Sequence, residues 1–253
     1  MGVNYIQICA EDIIVIHRRN FVAEIVTALA CGCHVQARDH ISIGCILTAS
    51  AAGSLNEKAL NISRKSSDAN FDYALAQTLG MLSDTFGVIP GFGYYDDIPE
   101  NAFATTLRFF GHPDGSILMG RNLLKKLLTS FESPSVAVAT ICAHEFGHIL
   151  QFKLNLQSKI LQGQSTVKRS ELQADYFAGY FTGLRKQRRP SYPAASAALT
   201  QHEGGDNLFY NPSHHGTPAE RGNAVVKGFL ASSRYDKTLM EAVKDSTLYV
   251  MSF

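Results

Sequence analysis

From residue 133 to residue 152 the chain is apolar on almost every side. Val136, Ala137, Val138, Ala139, Ile141, Cys142 and Ala143 run into Ile149, Leu150 and Phe152. A helix that is apolar nearly all round is a buried one. Ser133-Pro134 provides its start, with Ser as N-cap and Pro at the first helical position, where the missing N–H costs nothing. Helical spacing also appears over 71–86, through Leu75, Leu79 and Leu82, and around Leu172, Tyr176, Phe177 and Phe181. The latter segment runs to Lys186, Arg188 and Arg189 before Pro190, cations that complement a helix C-terminus. Residues 193–200, 217–231 and 237–250 read as further helices. Thr217 and Glu220 form a capping box around Pro218 at the start of the second of these. In contrast, residues 104–110 are rich in β-formers and lie between turn signals at 96–99 and 111–115, which predicts a strand. The expected architecture is α+β and helix-dominated, with a small sheet beside the apolar helix.

Into that helix the sequence sets His144-Glu145-Phe146-Gly147-His148. Residues four apart stand on one helix face, so His144 and His148 can bind one ion together, with Glu145 placed to activate water without ligating. Burying two histidines and a glutamate is costly unless they have partners, and a metal is the partner that explains all three. Zinc takes four tetrahedral donors and keeps one corner for water in a catalytic site, so a third protein ligand is expected elsewhere. Glu171 is the candidate. Asp175, four residues on, would accept the distal N–H of a ligating histidine. The plainer account of the pair is an acidic helix face meeting Lys168 or Arg169. Gly147 costs a helix interior about 1 kcal/mol, which predicts a close approach there. Ala174 and Ala178 are small enough to let another helix in.

H-E-F-G-H followed by E-L-Q-A-D resembles the gluzincin zinc metallopeptidases, chiefly the bacterial neutral zinc metallopeptidases and more loosely the HtpX-like peptidases. The resemblance spans residues 70–230. It implies a zincin-like fold whose sheet has an edge strand flanking the zinc helix, and one Zn²⁺ per chain on His144, His148 and Glu171. It also implies endopeptidase activity on peptides or unfolded proteins, with Glu145 as general base. Asn101, Ala102, Phe103 and Ala104 are similar to the N-A-F segment of the edge strand, where substrate backbone pairs; the same letters equally describe a structural strand. Residues 114–120 and Leu123-Leu124 resemble the strand and helix that lead to the zinc helix. The resemblance further implies a His or Arg that stabilises the oxyanion. His214, His215 and Arg221 all remain candidates, and either histidine equally suits a plain loop. A second function class is a zinc-bearing, chaperone-like or peptide-binding protein with little turnover. Glu145 favours the enzyme, because a non-catalytic ion needs no base beside it.

Composition narrows the field modestly. With 253 residues, 45% hydrophobic, 18% charged and a net charge of +1, the chain is globular in character and gives no reason to invoke nucleic acid. His17-Arg18-Arg19-Asn20-Phe21-Val22 resembles a twin-arginine export signal, followed by a moderately apolar stretch interrupted at Glu24 and by small residues at Val35-Gln36-Ala37. That stretch is too short and polar for a membrane span. The expected organisation is a signal region over 1–37, a lead-in over 38–66 and a metallopeptidase domain over 67–253. Export to the periplasm or beyond follows if the segment is a signal, and a cytoplasmic location if it is a soluble helix. Cleavage after Ala37 would remove Cys9, Cys31 and Cys33 and leave Cys45 and Cys142, the latter read as a buried thiol within the apolar helix. Nothing in the letters sets an oligomeric state.

Overall fold

The computed structural model describes residues 60–253. The twin-arginine-like segment, the lead-in as far as residue 59, and Cys9, Cys31, Cys33 and Cys45 lie outside the described residues. Within them, helix α1 (Ala69–Phe86) precedes three strands, β1 (Gly91–Tyr95), β2 (Ala102–Thr105) and β3 (Ser116–Gly120). The remainder is helical: α2 (Arg121–Ser130), α3 (Pro134–Lys153), α4 (Gln157–Ile160), α5 (Lys168–Arg188), α6 (Ala195–Glu203), α7 (Pro218–Ser233) and α8 (Leu239–Val250). This is a helix-rich α+β architecture with one small mixed sheet. No helix among the described residues is long and apolar enough to cross a membrane.

The sheet order is β1-β3-β2, with β3 parallel to β1 and antiparallel to β2. Alternation along the strands divides its residues between two apolar clusters. Ala102, Ala104, Ile117 and Met119 join the main core with α1, α3 and α5, while Tyr95, Phe103 and Leu118 form a smaller cluster with Phe109 and Phe110. The predicted strand over 104–110 is therefore shorter and earlier. It ends at Thr105, and residues 106–110 turn back toward β1. Phe110 lies directly over Gly91 and Gly93, where any side chain would collide with its ring. The β-forming letters at 109–110 thus reflect burial against a glycine-lined surface, not strand pairing. Residues 60–66, which carry no periodicity, bond to the same region: Ser63 bridges Tyr94, and Arg121 donates to Ser63 Oγ at 2.8 Å.

Helix α3 runs through the centre and contacts α1, α2, α5, α6 and strand β2. Every residue from Ala137 to Thr140 and from Cys142 to Gln151 is buried. Ser133 occupies the N-cap position as expected, but no side-chain cap bond forms; its carbonyl accepts from Val136 and Ala137 N–H instead. Cys142 is a buried free thiol, and burial with the nearby Glu145 carboxylate pushes it up to about 12. The close approach expected at Gly147 is present, with a Cβ there meeting Ala174 Cα of α5 at 3.1 Å. Helices α5 and α7 come closer still. A side chain at Gly179 would strike the Val225 carbonyl, and one at Gly228 the Tyr176 carbonyl. The capping box of Thr217 and Glu220 opens α7, and a second, Thr238 with Glu241, opens α8.

Candidate metal centre

The helix α3 register turns His144, Glu145 and His148 into the protein interior, where each is at most 2% exposed. Glu171 and Asp175 reach the same point from α5, the helix that Gly147 and Ala174 allow to approach. The His144 and His148 Nε2 atoms stand 3.1 Å apart, and the two Glu171 carboxylate oxygens lie 3.3 Å from one each. One donor atom from each of the three residues falls within 4.8 Å of the others, a set that can hold a metal ion.

The outer ring nitrogens decide what faces inward. His144 Nδ1–H donates to Asp175 Oδ1 at 2.7 Å. His148 Nδ1–H donates to Gln151 Oε1 at 2.8 Å, an orientation fixed because Gln151 Nε2 donates to the Ser170 carbonyl and to Gln173 Oε1. Gln173 in turn donates to Ser246 and Thr247 on α8. With both Nδ1 protons directed outward, both Nε2 atoms present lone pairs toward each other and toward a carboxylate. Such an arrangement can receive a cation at its centre.

The spacing suits that cation. Two donors about 2.0–2.1 Å from a tetrahedral ion stand about 3.3–3.4 Å apart, close to the separations seen. Charge agrees as well. Glu145, Glu171 and Asp175 are buried carboxyls facing one buried guanidinium, Arg221, so the ionised set lacks two positive charges. A divalent ion supplies them, and the residues present fit one.

Without a metal, the electrostatics register the same imbalance. Burial opposes the charged form of His144, yet the Asp175 and Glu171 carboxylates outweigh it and raise this imidazole to about 10. Burial likewise disfavours the Glu171 anion, but His148, His144 and His215 hold it well below the usual carboxylate range. Asp175 is lowered against its burial by Arg221 and His144. Glu145 moves the other way: burial raises it, offset only partly by the two histidines. Its Oε2 has no hydrogen-bond partner among the described residues.

Arg221 grips Asp175 with Nε at 2.8 Å and Nη2 at 2.9 Å, and also donates from Nη1 to the Gly204 carbonyl and from Nη2 to Gln201 Oε1. The two histidines before α7 belong to the loop between α6 and α7, and both are buried. His215 is close enough to Glu171 to lower its carboxyl, whereas the His214 ring packs against Phe209 with centroids 5.4 Å apart. Asn101 is tied into the fold, donating its N–H to Asp97 and accepting at its carbonyl from Gly120 N–H and the Tyr95 hydroxyl. Ala102, Phe103 and Ala104 are buried on β2, outside the histidine–glutamate cluster. Sequence reasoning had missed Gln151, though its spacing of three from His148 signals a shared face. It had also missed Gln173 and Asp206, for which no spacing gives a clue.

Comparison with protein-family models, with curated proteins and with solved structures finds no match to this chain.

Proposed function

We propose that this chain is a zinc-dependent endopeptidase with a zincin-like fold, acting on peptides or unfolded proteins. The observation that carries the reading is the conjunction of three converging donor atoms with a fourth buried carboxylate, Glu145, whose Oε2 bonds to nothing in the described protein. Two histidines and one glutamate leave a tetrahedral ion one position for water, as catalytic zinc sites do and closed structural sites do not. When bound, zinc supplies a Lewis acid for a carbonyl oxygen and brings the pKa of its water to about 7.

The chain's own residues do the rest. Glu145 takes the proton from the attacking water and returns it to the departing amine. Asp175 and Gln151 hold the two imidazoles with Nε2 inward, and Arg221 keeps Asp175 ionised and oriented. His215 offers an N–H to the oxygen that gains negative charge, the contribution that most lowers the barrier in acyl transfer. Arg221, committed to Asp175, Gly204 and Gln201, acts as a counterion and not as that donor. An extended substrate adds to the outer edge of β2, beside Ala102, Phe103 and Ala104. Those side chains are buried, so affinity there rests on main-chain bonds.

The test is to strip the protein with a chelator, reload it with zinc and digest an unstructured casein. Zinc should restore cleavage. Glu145→Gln should bind one zinc and cleave about 100- to 10,000-fold more slowly. Full turnover by zinc-loaded Glu145→Gln would remove the base assignment. Zinc uptake without cleavage by the unaltered chain would favour the peptide-binding reading, and failure to bind zinc would sink both.

A further inference from the structure

The row of side chains behind His148 can be bonded in one direction only. On α8 the Ser246 and Thr247 hydroxyls donate to the Val243 carbonyl, at 3.0 and 2.8 Å. Each hydroxyl has a single proton, so only lone pairs remain to face Gln173. The Gln173 amide therefore turns Nε2 toward them, at 3.2 and 3.0 Å, and directs Oε1 toward α3. There Oε1 accepts from Gln151 Nε2 at 3.1 Å. The second Gln151 N–H goes to the Ser170 carbonyl at 2.8 Å, which leaves Gln151 Oε1 for His148 Nδ1 at 2.8 Å. Ser170 conforms to the same sense. Its hydroxyl accepts from Gln157 Nε2 at 3.1 Å and gives its own proton to Gln151 Oε1 at 2.9 Å.

His148, Gln151, Gln173 and Ser246 are all fully buried. Turning either amide over would set N–H against N–H and oxygen against oxygen, and a buried polar group left unbonded is costly. The row is thus locked as a unit. We propose that Gln173 is a positioning residue for His148, and that α8 sets through it which ring nitrogen carries the proton. The Val243 carbonyl, two amides away, holds that proton on Nδ1 and keeps the Nε2 lone pair facing the cradle. The inference rests on the metal-binding reading of the cradle and deepens it, because α8 supplies no donor atom and is still part of the centre. Without Gln173, the Ser170 carbonyl and hydroxyl still hold Gln151, so the ring is loosened and not released.

Zinc affinity of the full chain, measured by competition with a chromophoric chelator, is the first readout. Gln173→Met keeps the volume and breaks the row, and zinc should bind about 10-fold more weakly. In a Gln151→Ala background the same substitution should cost nothing more, because Gln173 acts through that amide. Ser246→Ala combined with Thr247→Ala removes only the hydroxyls that orient Gln173. That pair should weaken zinc about threefold, the worth of one ordinary hydrogen bond. Metal-free protein gives a readout without the ion. The His148 Nδ1–H resonance, identified by its loss in Gln151→Ala, should exchange with solvent faster in Gln173→Met.

A Gln173→Met affinity within about twofold of normal, or an equal loss with and without Gln151, overturns the proposal; either result would mean that Gln173 merely packs α5 against α8. If Gln173→Met does not fold, the Ser246 and Thr247 double variant decides, and unchanged affinity there is equally fatal. Should the unaltered chain take up no zinc, the metal reading fails, while exchange of the His148 proton judges separately whether the row holds the ring.

Discussion

His144 and His148 are neighbours on one helix face, equally buried and aimed at the same point, yet they are backed by opposite chemistries. Behind His144 stands a charged pair, Asp175 gripped by Arg221. Behind His148 stands a neutral chain of amides and hydroxyls that passes from Gln151 through Ser170 and Gln173 to α8. Charge balance explains the asymmetry. Three buried carboxyls less one guanidinium already match a divalent ion, and a second carboxylate behind His148 would leave the ionised cradle overcharged. An amide fixes the tautomer equally well and adds no charge. The comparison separates two tasks that a supporting residue can perform, orienting a ligand and making it more basic.

The most severe way to break the symmetry is to remove a donor from its centre. Glu171→Ala should abolish stoichiometric zinc binding, measured by metal analysis after dialysis, whichever histidine is considered.

Next comes the charged side. Arg221→Ala leaves the buried Asp175 carboxylate with His144 but without its guanidinium, and losing one partner of a buried pair costs about 3–5 kcal/mol. Urea denaturation of the metal-free protein should show it. The neutral side should be cheaper to disturb. Gln151→Ala strands the Ser170 and Gln173 groups at about 1–3 kcal/mol, and zinc affinity should fall about 10- to 100-fold. If Gln151→Ala proved as damaging as Arg221→Ala, the distinction drawn here would not hold.

The smallest effect lies farther out. Burial works against the Asp206 anion, but the His215 N–H, the His214 ring and the Leu208 N–H lower it to about 2 from an ordinary 3.8. A carboxyl lowered on folding stabilises the protein fully above its unfolded value and loses that contribution as pH falls through its folded one. Stability differences between the unaltered chain and Asp206→Asn should therefore be largest above about pH 4. They should shrink as the pH approaches 2, and denaturant midpoints across that range would reveal it.

The histidine–glutamate core of this site was legible in the letters because helix periodicity carries it. His144 with His148 and Glu171 with Asp175 are each four apart, and the apolar run around the first pair left a metal as the natural partner. The supporting shell was harder to read. Gln151 is an ordinary polar residue until its amide is seen to terminate His148, and Asp206 meets its histidines only through loop closure. Helices α1, α3, α5, α6, α7 and α8 were legible from spacing and caps, within a few residues at their ends, whereas α2 was expected only through the resemblance and the short α4 was not anticipated. Strand β1 was hidden by Gly91 and Gly93, which have low strand propensity but make room for Phe110. The same contact gave residues 106–110 their misleading strand-like letters, since a partner distant in sequence supplied the reason for the aromatics.

The glycine seam between α5 and α7 carries a consequence for mutational tolerance. Glu171 and Asp175 ride on one of these helices and Arg221 on the other, and the missing side chains at Gly179 and Gly228 are among those that let the two main chains touch. An alanine at either place would wedge the rods apart and draw the guanidinium off its carboxylate. Such a lesion would arise well away from any ligand atom and still emerge as poor ion retention, so damage to this centre need not map to the centre itself.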